Sequence, residues 1–135
     1  MFLEAGTFKI TNGSIEDNIS GKDGGGVYLT AGDNHEMTAG SITNNLANLK
    51  GGGVLIKAGK FTMKGGTITG NRAFGSEGGV YVAGGTFFLN STASKTNINS
   101  NFYSVSAGNV GKADGGEIDG DPTSDLEAAD KTNGW

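Results

Sequence analysis

Cysteine is absent from the chain, proline occurs once, and histidine, arginine and tryptophan occur once each. Without cysteine there is no disulfide framework and no thiolate metal site. With one histidine, His35, and one arginine, Arg72, no histidine cluster is available for metal binding or acid–base relay, and no arginine patch for phosphate. Basic residues are scattered and the formal charge is −4 over 135 residues, which argues against a nucleic-acid partner. No apolar run approaches the roughly 20 residues that span a bilayer, so no membrane insertion is expected of this segment, and no signal peptide precedes the first expected strand.

What the chain has is glycine, 26 residues of it, at fixed places. Ile15, Ile42 and Ile68 stand 27 and 26 residues apart, and the same steps relate Asn18, Asn45 and Asn71, Val27, Val54 and Val80, Ile10, Met37 and Met63, and Leu29, Ile56 and Val82. Five columns on one period mark a solenoid, in which stacking buries what a single unit cannot. Within a unit the apolar residues fall two apart, as in Phe61 and Met63 or Val80 and Val82, which is strand periodicity. Glycines between the pairs mark sharp turns. The pattern predicts an all-β fold, a parallel β-helix with three short strands per coil and four to five coils. The handedness rule for parallel crossovers makes it right-handed.

The solenoid is expected over residues 1–120. Met1 to Gly6 aligns with Val27 to Gly32, so the chain opens in the third strand of a coil, without a polar cap. That points to neighbouring coils of a longer chain, a covering partner, or end-to-end self-association through the Met1–Leu3 edge. In the fourth coil, Ile98 and Asn101 follow Ile68 and Asn71 by 30 residues, so about four extra residues bulge between Asn90 and Thr96. Two alignments follow: Val110 in the third strand with Ile118 opening a fifth coil, which is preferred, or Val105 in that strand. Residues 121–135 read as a tail or a short capping helix, started by the Ser124 to Glu127 spacing and covering the last coil with Leu126.

Four features could carry function. Asn18, Asn45, Asn71 and Asn101 form a column expected to be a structural ladder whose amides satisfy one another. Phe2, Tyr28, Leu55 and Tyr81 occupy the outward position of the third strand, and a solvent-facing stripe of this kind predicts contact with a host glycan or protein ligand. Ser14, Ser41 and Thr67, beside Glu16, Thr43 and Thr69, make two files of small polar groups resembling ice-binding surfaces, with Glu16 as an interruption. His35 takes a slot that Phe8 and Phe61 hold. The carboxylates Glu16, Asp17, Asp23 and Glu36 do not recur in adjacent coils as a facing catalytic pair requires. No catalytic residue, metal ligand or cofactor is assigned.

The strings GSIEDN (13–18), GSITNN (40–45) and GGTITGN (65–71), followed by GGGVYL, GGGVLI and GGVYV, resemble the repeats of bacterial surface proteins. Related repeats occur in chlamydial polymorphic outer-membrane proteins and adhesin-like proteins of gut and oral bacteria. The resemblance covers Leu3 to Val82 closely and Gly85 to Gly120 loosely. It implies an extracellular, cell-surface β-helical stalk, often adhesive and without fixed catalytic residues. The alternatives are a polysaccharide-active, pectate-lyase-like β-helix and a purely structural or ice-binding-like repeat.

Overall fold

A computed structural model describes every residue except Val105. The chain winds as a β-solenoid of about four turns, with strands stacking in parallel on their counterparts one coil away. The three expected strands are present. The first-strand sheet stacks Lys9–Ile10, His35–Met37, Lys60–Met63, Thr86–Leu89 and Glu117–Gly120. The second stacks Ser14–Glu16, Ser41–Thr43, Thr67–Thr69 and Ile98–Asn99, and the third Phe2–Leu3, Val27–Leu29, Val54–Ile56, Val80–Val82 and Val110–Lys112.

Each coil also contains a strand that the sequence reading of three per coil omits. It lies between the second and third: Ile19–Ser20, Leu46–Ala47, Arg72–Ala73 and Phe102–Tyr103 stack in parallel, and Ser106–Ala107 closes this interposed sheet as an antiparallel hairpin. Its strands are two residues long; Leu46–Ala47 and Arg72–Ala73 each bury one side chain, Ala47 and Ala73, whereas Phe102 and Tyr103 are both exposed. At most one small buried residue per coil leaves no alternation to read.

The inward columns form one continuous core from Ile10 to Ile118, including Phe61, Met63, Val80, Val82 and Phe87 at zero exposure. Each such side chain contributes on the order of 1.5–3 kcal/mol by leaving water. The glycines before the third strand are dictated by close approach. A Cβ on Gly25 would lie 2.7 Å from the carbonyl oxygen of Leu46, in the interposed strand of the next coil. The corner before the ladder asparagine is left-handed at Asp17, Asn44, Gly70 and Ser100 (φ 57°, 54°, 67° and 53°), and three of these are residue types that tolerate it.

Val110 pairs with Val80 and Ile118 with Phe87, as the preferred alignment requires. The competing placement of Val105 falls on the one residue outside those described. The extra residues of coil four form a turn ending in the 3-10 segment Lys95–Asn97, capped by Ser94. The C-terminal helix spans Ala128–Asn133 with Glu127 as N-cap, starting later than the Ser124 spacing suggests. Leu126 and Trp135 pack on the core, and Trp135 extends the third sheet: its N–H donates to the Val110 carbonyl at 2.8 Å, and its own carbonyl accepts from Asn109 and Val110 N–H.

Candidate functional site

The asparagine column is a ladder. The Nδ2 of Asn18, Asn45 and Asn71 donates to the Oδ1 of the asparagine one coil on at 2.9–3.0 Å, and the backbone N–H of each donates to the same oxygen. The buried members also donate to the isoleucine carbonyl of the preceding coil, Asn45 to Ile15, Asn71 to Ile42 and Asn101 to Ile68. Asn45, Asn71 and Asn101 are buried while Asn18 is exposed at the open end. The ladder closes on Asn109, whose Oδ1 accepts from the N–H and Nδ2 of Asn101 at 3.2 Å. Asn109 was not assigned this place, because it lies eight residues beyond Asn101 and reaches it only through the hairpin.

Phe2, Tyr28, Leu55 and Tyr81 do stand in one outward register file. The expectation that the whole file faces solvent is corrected. Exposure falls from 58% at Phe2 through a half-buried Tyr28 to 2% at Leu55 and 7% at Tyr81. The reason lies in the turns before the third strand, which fold over the file. The Lys50 ammonium sits 4.8 Å from the Tyr81 ring centroid and donates to its hydroxyl at 3.4 Å. Past Tyr81 the file ends in Gly111, and the Glu77 side chain fills the space a Cβ there would need. Burial pushes the Glu77 carboxyl above the usual carboxylate range, and its Ser76 neighbour donates to it.

What remains open is the pair Phe2 and Tyr28, stacked with ring centroids 5.2 Å apart and an interplanar angle of 29°. It opens into a concavity of about 610 Å³ whose other wall is Asn18, Ile19, Ser20, Lys22 and Asp23. A second concavity of about 440 Å³ shares Asp23 and Tyr28 and continues over Leu55 and Tyr81 between Lys50 and Lys57. The two concavities adjoin at Asp23 and Tyr28, with aromatic and aliphatic residues beside charged ones in both linings.

His35 is fully buried in the phenylalanine column. Its Nδ1 accepts the Phe8 N–H at 3.1 Å and its Nε2 lies 2.7 Å from the Ala31 carbonyl, so the ring takes the Nε2–H tautomer. The Ser14, Ser41, Thr67 and Glu16, Thr43, Thr69 files are in register on the outer face of the second sheet, and Thr69 donates to Asn99 at 3.1 Å. On the first sheet Glu36 pairs with Lys64 at 2.6 Å, and that hydrogen bond holds its carboxyl below the usual range. Among the described residues no group of three His, Cys, Asp or Glu is placed to hold a metal ion.

The outward face of the interposed sheet was missed as a surface. Ile19, Leu46, Arg72 and Phe102 form one register file, Leu49 and Phe74 stand exposed in the turns that follow it, and Tyr103, in register with the buried Ala73, is exposed as well. The signal available was the recurrence of large apolar residues directly after the ladder asparagine, at Ile19, Leu46 and Phe102. Comparison of the chain with family models, curated proteins and solved structures gives no match.

Proposed function

We propose that the chain is a non-catalytic segment of a secreted or cell-surface bacterial β-helical protein, adhesin-like in role, whose stiff coils display a ligand groove. The carrying observation is the Phe2–Tyr28 stack at the mouth of a concavity with polar walls. Ligand sites are typically concavities of roughly 300–1,000 Å³ with an apolar floor and a few polar groups that fix orientation. A sugar ring or a peptide side chain lying on Tyr28 would meet the Asn18 amide, the Ser20 hydroxyl and the Lys22 and Asp23 charges. The resemblance to surface-protein repeats supports the extracellular setting.

Replacing Phe2 and Tyr28 together with serine should abolish retention of the chain on host cells or immobilised glycan. Both side chains lie outside the core, so circular dichroism should be unchanged. Retention equal to wild type would exclude the groove as the contact site.

A further inference from the structure

Of the seven large apolar side chains left exposed among the described residues, five stand on the interposed sheet or in the turn that follows it. Ile19 is 77% exposed, and Leu49, Phe74, Phe102 and Tyr103 lie between 41% and 49%. Ile19 and Phe102 belong to the file Ile19, Leu46, Arg72, Phe102, which crosses four coils and is about 14 Å long at one strand spacing per coil; Leu49 and Phe74 follow it in the turns, and Tyr103 stands in the register column of Ala73. Scattered apolar residues on a surface need no explanation, but a contiguous set on one face marks a contact surface.

Arg72 sets the chemistry of what this face would meet. Its guanidinium lies 5.1 Å from the Phe74 ring centroid, and the ion pairs among the described residues involve Lys64, Lys95 and Lys131 but not Arg72. Stacked on an aromatic ring, an arginine keeps its planar N–H fork available for bidentate bonds to a carboxylate. The file contains no carboxylate of its own. Asp17, two residues before Ile19, is two coils away along the axis. Aromatic residues and arginine with few lysines or acids is also the composition of a protein interface core.

We infer that this face docks an extended segment of another protein that presents apolar side chains together with at least one carboxylate. A second copy fits less well: twofold pairing of the file sets Leu46 against Arg72 and Ile19 against Phe102, burying two guanidinium groups with no carboxylate between them. The face is small beside the roughly 800 Å² per partner of a standard interface, so binding is weak, in the micromolar range.

The test selects a random peptide library displayed on phage against the immobilised chain and measures the enriched peptides in solution. Enriched peptides should combine two or more apolar residues with Asp or Glu. Their affinity should fall at least tenfold for F74S/F102S and for R72Q, and the R72Q loss should vanish when the peptide carboxylate is replaced by an amide. The groove variant F2S/Y28S should bind them as wild type does, which separates this surface from the groove proposed above. Failure to enrich any peptide, enrichment of peptides without acidic residues, or equal binding by R72Q would overturn the proposal. So would a wild-type dimer in sedimentation that F102S makes monomeric, because the occupant would then be a second copy.

Discussion

Asn71 shows how much one polar side chain carries when it is stacked. It is fully buried, accepts two N–H groups from Asn45, and donates to Asn101, Ile42 and Thr69. Truncation to alanine strands several buried groups at once, each costing about 1–3 kcal/mol, so Asn71→Ala should lose about 3–5 kcal/mol in urea denaturation. The same change at exposed Asn18 should cost less than about 1 kcal/mol, and equal losses would mean that the ladder is not the stabilising unit. His35 gives a less obvious expectation. Its column holds Phe8, Phe61 and Phe87, so phenylalanine looks like the improving choice. The ring, however, accepts the Phe8 N–H and donates to the Ala31 carbonyl. His35→Phe should therefore destabilise by about 1–3 kcal/mol, read from the same titration.

At the scale of elements, the strands that were legible are those with two inward apolar residues per coil, such as Phe61 and Met63. Alternation is visible only when a strand is long enough to alternate. The interposed strands are two residues long and bury at most one small residue, Ala47 or Ala73, too short a run to show alternation. The aromatic file was placed in the correct register, but its exposure was not legible, because what covers Leu55 and Tyr81 is the path of the Lys50 and Glu77 turns. Leu126 was legible as a cap, while the lock behind it is tertiary. The Asp125 carboxylate accepts from Lys95 N–H and the Ser94 hydroxyl, Asp130 accepts from the Lys95 ammonium at 2.8 Å, and Lys131 donates to Asp119 at 2.9 Å. Burial works to raise the Asp130 carboxyl, and the Lys95 ammonium and the Glu127 N–H outweigh it, leaving it below the usual range. The Lys131 hydrogen bond does the same for Asp119. A carboxylate depressed in the folded state stabilises above its ordinary pKa of about 4 and loses that contribution as pH falls through the lower folded value. Lys95, raised chiefly by its bond to Asp130, contributes below its ordinary value and is lost only at strongly alkaline pH. The cap should therefore loosen in acid, below about pH 4. Trp135, the only tryptophan, sits in it, so its emission should shift to the red there before the β signal in circular dichroism is lost. Simultaneous loss of both signals would show that cap and coils melt as one unit.

Across the whole molecule the two ends differ in kind. The last coil is covered by Leu126, the helix and Trp135, whereas the first coil presents Phe2, Ile19 and an exposed Asn18. Along the ladder each amide-to-amide bond runs the same way, Asn18 donating to Asn45, Asn45 to Asn71, Asn71 to Asn101 and Asn101 to Asn109. Stability in such an array is a sum of coil terms and nearest-neighbour terms. The coil that carries the helix has further contacts besides its neighbouring coil, Lys95 to Asp130, Ser94 to Asp125 and Lys131 to Asp119, so it is held by the larger sum. In mechanical terms the coils are a spool latched at the helix. Under tension such a stack would pay out one coil at a time, each regular coil releasing 26 or 27 residues, on the order of 90 Å of chain. The coil latched by the helix would give way after its neighbours, so a load would be dissipated in steps.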